Sequence, residues 1–266
     1  MNKKVFALVL VVALIATAFL AVQACKPKAG TMTPSAVGEI PKLKVATDAA
    51  YPPFEYVDTT TSEIVGFDID LMKAIAKAGG FEVEFINTPW DGIFVGLDNN
   101  NYDAVISAVS ITDERKQNYD FSNPYYSIYQ ALIVRKADAE KYKSLADLKG
   151  KKVGAQIGTT GAIFISKDPN VKLVNYDDNG LAIEALLKGD VDAVVCDHPV
   201  AFDYALVNPS YKDKLVVTNP KITDTPEPYG ICIKKGNAKV LDLINKGLAT
   251  LPADTIPTLE AKWKMK

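Results

Sequence analysis

The feature that most constrains the fold is a strand–helix pattern that occurs twice along the chain. In each half a helical segment leads through Asp-Ala-Val into a short apolar strand with a polar end, at Asp103–Ser107 and again at Asp192–Asp197. Strands that alternate with helices predict parallel sheets covered by helices. Two such halves predict an α/β protein with two similar lobes, each a mainly parallel sheet flanked by helices.

The spacing of apolar residues predicts the elements of each half. In the first half we expect strands at 43–47, 81–86 and 102–109 and helices at 70–77 and 93–97. In the second half we expect a strand at 152–156 and helices at 181–187, 238–248 and 259–264.

Two extended segments predict that the chain crosses between the lobes twice. They lie at 126–135 and around 225–231, where Pro226 and Pro228 disfavour a helix. The C-terminal helices then complete the first lobe. The predicted boundaries are 42–128 plus 228–266 for the first lobe and 129–227 for the second.

Polar residues at the carboxyl ends of the predicted strands indicate where a ligand would lie. Asp48, Ser107, Thr159 and Asp197 all stand at or after such ends. In open parallel sheets, ligands bind beyond the carboxyl ends of the strands. We therefore expect these four side chains to face one shared cleft.

The N-terminus has the order of a secretory signal. Lys3 and Lys4 precede an apolar run of 18 residues, which ends shortly before Cys25. A cysteine in this place resembles the lipobox of bacterial lipoproteins. It predicts a signal peptide at 1–24, lipidation of Cys25 and a flexible tether over 25–41. An uncleaved membrane anchor is the alternative, because 18 residues can just span a bilayer. Both interpretations place the rest outside the cytoplasm, tethered to a membrane.

Composition excludes several kinds of partner. Without Lys3 and Lys4, 28 basic residues face 32 acidic ones, a net charge of −4 that argues against binding nucleic acid. With Cys25 as an anchor, only Cys196 and Cys232 remain to pair, which is no disulfide framework. A single histidine, His198, argues against a zinc site, and no cofactor is expected. We expect His198 to lie on the solvent side.

Arg115 stands where a cation is unfavourable. Ser110 or Thr112 is a suitable N-cap for a helix that begins with Asp113 and Glu114. Arg115 would then lie in the first turn, where the helix dipole disfavours positive charge. It either pairs with a neighbouring acid or points into the cleft, ready for a carboxylate. The spacing alone leaves both interpretations open.

Six motifs in order resemble the solute-binding proteins of polar-amino-acid ABC importers, over essentially residues 42–266. The resemblance implies a periplasmic-binding-protein-like fold with the ligand in the cleft between two lobes. The motifs are Thr47–Glu55, Gly66–Asp70, Ile111–Arg115, Asp120–Tyr125, Gly158–Gly161 and Asp190–Ala193.

The resemblance also implies roles for individual residues. Arg115 would bind the α-carboxylate of an amino acid, helped by Ser110 and the backbone at Thr160, and Asp197 would bind the α-ammonium. A zwitterion needs both partners, because an unpaired buried charge is costly. Without the resemblance, Asp197 is more simply a turn residue before Pro199.

Further positions concern the ligand side chain. By the same resemblance, Tyr51 and Trp90 would enclose it with their rings, which suits a guanidinium through cation–π contact, and Asp48 would face its far end. The simpler alternatives are a core tryptophan and a turn aspartate. Gln156 replaces a lysine of the familiar glutamine binders, so a cationic ligand meets no repulsion there. Ser107 and Ala108 would add a hydroxyl and a carbonyl contact, beside Thr159.

The resemblance and these residues together imply a monomeric receptor that binds arginine or lysine outside the cell and delivers it to a membrane-embedded ABC permease. Glutamine is the alternative ligand, and a purely sensory role is not separable from transport. A dehydratase-like enzyme on this fold would need a general acid or base in the cleft. Asp48 and Asp197 are the candidates, and both are better explained as partners of an amino acid.

Overall fold

The computed structural model describes residues 41–265. The predicted signal peptide, Cys25 and the tether up to residue 40 lie outside the described residues. Within 41–265, no helix combines the length and the apolar character that crossing a bilayer requires.

The elements follow one another in chain order. The strands are β1 (Lys42–Thr47), β2 (Ala50–Tyr51), β3 (Glu55–Val57), β4 (Ile64–Val65), β5 (Glu82–Asn87), β6 (Ala104–Val105), β7 (Tyr119–Phe121), β8 (Tyr126–Ile128), β9 (Gln130–Arg135), β10 (Lys152–Gln156), β11 (Lys172–Tyr176), β12 (Ala193–Asp197), β13 (Leu215–Asn219), β14 (Glu227–Tyr229) and β15 (Cys232–Lys234). The helices are α1 (Phe67–Gly79), α2 (Trp90–Asp98), α3 (Asp113–Asn118), α4 (Thr160–Ser166), α5 (Asn179–Lys188), α6 (His198–Phe202), α7 (Ala238–Ala249) and α8 (Thr255–Lys262), and a π-helical turn, Asp203–Val207, follows α6.

Two five-stranded sheets form the two lobes and confirm the predicted fold class. The first has the order β5-β1-β6-β15-β7 and the second the order β11-β10-β12-β9-β13. In each, three parallel strands are followed by an antiparallel one, β15 in the first sheet and β9 in the second. Strands β8 and β14 pair antiparallel in a separate two-stranded ribbon, where both extended segments were predicted.

Local sequence explains where the helices begin and end. Helix α1 buries Phe67, Leu71 and Ile75, which lie on one face at helical spacing. It ends because Gly80 adopts a left-handed conformation with φ 75°. Helix α5 is capped at its N-terminus by Asp178, whose side chain accepts a hydrogen bond from the backbone N–H of Leu181.

The strand predicted at 102–109 is much shorter in the structure. Within this segment only Ala104 and Val105, which form β6, pair with β1, and the chain leaves the ladder after them. Two hydrogen bonds and one backbone dihedral angle explain the difference. The Ser107 hydroxyl donates to Glu55, the Ala108 N–H donates to Asp68, and Ala108 is left-handed with φ 47°. An extended strand cannot adopt that dihedral angle. The chain therefore turns there and forms a polar wall.

Helix α7 closes the first lobe by packing on α1. Val240, Ile244 and Gly247 are its buried residues. At Gly247 the two helix backbones approach so closely that an added Cβ would overlap the carbonyl oxygen of Ile75. A side chain of any size therefore cannot be accommodated there without separating the helices.

Gly247→Ala should lower the free energy of unfolding by about 1–3 kcal/mol, because overpacking forces the backbones apart. Gly92→Ala is the matched control, since that helical glycine has no atom within 4 Å of an added Cβ. The control should be neutral or gain up to about 1 kcal/mol from helix propensity. Urea unfolding measures both, and equal effects would contradict the close packing.

Candidate functional site

All of the predicted ligand-contacting residues line a single cavity. Its empty space, including the part that is open to solvent, measures about 330 Å³. It lies at the carboxyl ends of the parallel strands of both sheets. The lining residues are Asp48, Tyr51, Trp90, Ser107, Ala108, Ser110, Arg115, Gln156, Thr159, Thr160 and Asp197.

Asp48 follows β1 and is held from both sheets. Its backbone N–H donates to the Ser107 hydroxyl at 3.0 Å, and Gln156 Nε2 donates to its Oδ2 at 3.1 Å. Burial raises the pKa of Asp48 to about 6, although hydrogen bonds from Gln156 and the Trp90 N–H act in the opposite direction. This carboxylate has no ion-pair partner among residues 41–265.

Asp197 ends β12 and accepts three hydrogen bonds. Tyr51 donates its hydroxyl to Oδ2 at 2.6 Å, Tyr229 donates to the same oxygen, and Gln130 Nε2 donates to Oδ1 at 2.6 Å. Burial raises the pKa of Asp197 to about 6, and the two tyrosine hydroxyls oppose that rise. Its position is therefore fixed by donors from several separate strands.

Arg115 lines the cavity, as expected if its side chain points into the cleft and does not form a local salt bridge. Of the two acids in its turn, Asp113 pairs with Lys116 at 2.7 Å, and neither Asp113 nor Glu114 forms an ion pair with Arg115 within the described residues. The Arg115 guanidinium donates to the carbonyl of Ser110 at 2.9 Å and to that of Gly158 at 3.2 Å. Two of its five N–H donors are thus used, and the others remain for a ligand.

Two rings flank this guanidinium. Its central carbon lies 5.3 Å from the ring centroids of both Trp90 and Phe94. Burial lowers the pKa of Arg115, but arginine remains charged at any physiological pH. Thr112, not Ser110, caps the helix, since its side chain accepts from the Arg115 backbone N–H at 3.1 Å.

Three residues that the sequence analysis missed organise the lining. Gln130 donates to both Asp197 and the Thr160 hydroxyl, Tyr229 donates to Asp197, and Glu227 accepts from the Ser110 hydroxyl at 3.0 Å. The Ser110 hydroxyl is therefore turned towards an acid. The polar residues of the extended segments, Gln130 and Glu227, were the available signal, because apolar strands seldom carry them without a role.

The remaining candidates do not enter the cavity. Cys196 and Cys232 are free, buried thiols on different sheets, and burial raises the pKa of both. His198 lies outside the cavity and is half-buried, and its Nδ1 accepts from the Tyr129 N–H at 3.1 Å. Across residues 41–265 no group of acidic, cysteine or histidine side chains could hold a metal ion.

Comparison with known proteins identifies the family to which this chain belongs. The sequence profile of the bacterial extracellular solute-binding proteins, family 3, matches residues 43–266. The chain belongs to this family. As a family 3 solute-binding protein it binds an amino acid on the extracytoplasmic side and serves an ABC importer.

Individual relatives are similar along most of their length. A probable histidine-binding protein of Neisseria gonorrhoeae is 38% identical over 90% of this chain and 88% of its own. ABC transporter arginine-binding protein 1 of Escherichia coli is 38% identical over 84% of this chain and 90% of its own. A solved structure of an ancestral arginine-binding protein bound to glutamine is 41% identical with a TM-score of 0.78, over 86% of this chain and 100% of that one.

Proposed function

We propose that this family 3 solute-binding protein binds L-arginine or L-lysine, with glutamine next in affinity, and delivers it to its permease. The charge balance of the cavity carries the proposal. Among the described residues that line it, one cation, Arg115, faces two carboxylates, Asp48 and Asp197. The ligand that neutralises this set has one negative and two positive charges.

The α-carboxylate and α-ammonium of an amino acid would neutralise Arg115 and one of the two aspartates. Its carboxylate would meet the free N–H donors of Arg115, whose planar guanidinium suits a two-pronged contact. Its ammonium would meet Asp197, which already accepts from Tyr51, Tyr229 and Gln130 and has lone-pair capacity left. These two contacts select amino acids but do not distinguish their side chains.

Asp48 would distinguish between amino acids by their side chains. Its carboxylate is left without a cation once the ligand backbone is bound, and an unpaired buried charge is unfavourable. A guanidinium or ammonium on the side chain removes that penalty, whereas the amide of glutamine offers a hydrogen bond without charge. Gln156 stabilises the same carboxylate without neutralising it. Relatives named for arginine support this assignment.

The same geometry disfavours an enzyme. Of the lining residues, Asp48 and Asp197 are the carboxylates that could serve as a general acid or base, and the Tyr51 hydroxyl is already bonded to Asp197. Asp197 is immobilised by three donors, and Asp48 is bonded to Gln156. Both are arranged as charge partners, so we propose a binding protein without catalytic activity.

We propose that the two lobes have the boundaries predicted from the sequence. The lobes would be 42–128 with 228–266 and 129–227, joined at the ribbon of β8 and β14. Arg115 belongs to the first and Asp197 to the second, so a zwitterion held by both favours a closed arrangement. The protein would be a monomer, tethered through a lipid on Cys25.

The ligand assignment is tested by calorimetry of residues 26–266, after refolding to remove carried-over ligand. Arginine or lysine should bind most tightly, glutamine next, and one ligand per chain. Glutamate or an aliphatic amino acid as the tightest ligand would refute the cationic assignment.

Arg115→Lys should weaken arginine binding by about 2–4 kcal/mol, because a point charge cannot reproduce the two-pronged contact with a carboxylate. The matched control is Arg135→Lys. Arg135 is the other arginine of the chain and bonds to Asp138, Leu186 and Val191 instead of lining the cavity. Titration calorimetry compares the two, and an Arg115 variant within threefold of wild type would place the ligand carboxylate elsewhere.

Asp48 should make arginine binding depend on pH. Its pKa of about 6 means that the carboxylate is ionised at pH 7.5 and mostly protonated at pH 5. The ratio of arginine to glutamine affinity should therefore fall about tenfold between these pH values, since only arginine needs that charge. Asp197 affects both ligands alike and cancels in the ratio. In Asp48→Asn the ratio should be low and constant; a ratio that still changes with pH would exclude Asp48 as the selective group.

A further inference from the structure

Two buried carboxyl groups lie behind the cavity wall that Ser107 and Ala108 form. Glu55 begins β3 and Asp68 lies in the first turn of α1, and each is 0% exposed. Neither lines the cavity. Within residues 41–265, no lysine or arginine forms an ion pair with either group. Two adjacent buried carboxylates without a cation would repel each other strongly.

One oxygen of each carboxyl is occupied. Glu55 Oε1 accepts from the Ser107 hydroxyl at 3.0 Å. Asp68 Oδ2 accepts from the Ala108 N–H and the Tyr125 hydroxyl, each at 2.8 Å. The other oxygens, Glu55 Oε2 and Asp68 Oδ1, are buried and have no donor in the described part of the chain. The Glu55 and Asp68 carboxyl groups lie within hydrogen-bonding contact of each other, so a single proton held between them satisfies both.

We propose that Glu55 is protonated at neutral pH, donates a hydrogen bond to ionised Asp68 through that proton, and acts as a positioning residue for the wall at Ser107 and Ala108. Asp68 is the ionised partner because it has two donors and lies where the helix dipole favours an anion. Burial raises the pKa of Glu55 well above its ordinary value, and the charge of Asp68 adds to the rise. The titratable groups that face Glu55 are Asp68, Asp48, Tyr51 and Tyr125, and none is a cation.

The shared proton determines what the wall presents to the cavity. The Ser107 hydroxyl hydrogen is directed to Glu55, so Ser107 offers lone pairs on the side where the Asp48 N–H donates to it at 3.0 Å. Ala108 is left-handed with φ 47°, which is unfavourable for a residue with a side chain. Its N–H bond to ionised Asp68 holds that conformation. An ionised Glu55 would add a second repelling charge behind this wall.

Urea unfolding of residues 26–266 between pH 5 and 8 tests the proton. Above the ordinary glutamate pKa of about 4.3, the unfolded chain releases a proton that folded wild type keeps. The folding equilibrium constant of wild type should therefore fall about tenfold per pH unit relative to Glu55→Gln, until the folded pKa is reached. Glu63→Gln, at an exposed position, is the control and should parallel wild type. A Glu55→Gln to wild-type ratio that stays constant with pH would overturn the proposal.

Infrared spectroscopy tests the same proton without a variant. Glu55 is the only buried glutamate among residues 41–265. A protonated-carboxyl band at pH 7 should therefore shift when glutamate is labelled with carbon-13. A band that shifts only with labelled aspartate, or no band at all, would refute protonated Glu55.

The positioning role is tested with L-arginine as the probe, and this arm alone rests on the proposed function. Glu55→Gln retains a donor for Asp68 and an acceptor for Ser107, whereas Glu55→Leu retains neither. The glutamine variant should bind arginine at least tenfold more tightly than the leucine variant. Equal affinities would refute the positioning role. If wild type does not bind arginine, the arginine assignment fails, while unfolding and infrared spectra still decide the proton.

Discussion

The site depends on buried charges that the two sheets supply separately. Asp197 ends a strand of the second sheet, yet one of its hydroxyl donors is Tyr51 from the first half of the chain. Arg115 lies beside the first sheet, yet it donates to the carbonyl of Gly158, in the loop after β10. Each charge is thus held partly by the opposite half. A ligand that satisfies both charges at once adds to an arrangement that the protein already favours.

Burial makes it costly to leave these charges without a partner. In water an aspartate has little preference among cations, but removal from water makes an unpaired carboxylate unfavourable. Asp48 and Asp197 are 9% and 6% exposed, and burial raises the pKa of each to about 6. A cation beside either carboxylate would favour its ionised form. In the proposed assignment, specificity would follow from the number and placement of these charges more than from the shape of the cavity.

The sequence predicted the parts of the site that follow from strand ends. Asp48, Ser107, Thr159 and Asp197 line one cavity because parallel strands end at the same edge of a sheet. Arg115 needed the family resemblance, since its spacing also fitted a local salt bridge. Gln130, Glu227 and Tyr229 were missed because their partners are far away in the chain, and Glu55 was missed because sequence does not show burial. The strand at 102–109 was too long for the same reason: its end is turned by contacts to β3 and α1.

The account is tested most directly by a crystal structure of residues 26–266 grown with L-arginine. The α-carboxylate should lie about 2.7–2.9 Å from Arg115, the α-ammonium should lie at Asp197, and the guanidinium should lie at Asp48. A single arginine that bridges all three would establish that buried charges of both lobes define the ligand. An arginine bound outside this cavity, or one whose guanidinium points away from Asp48, would contradict that claim.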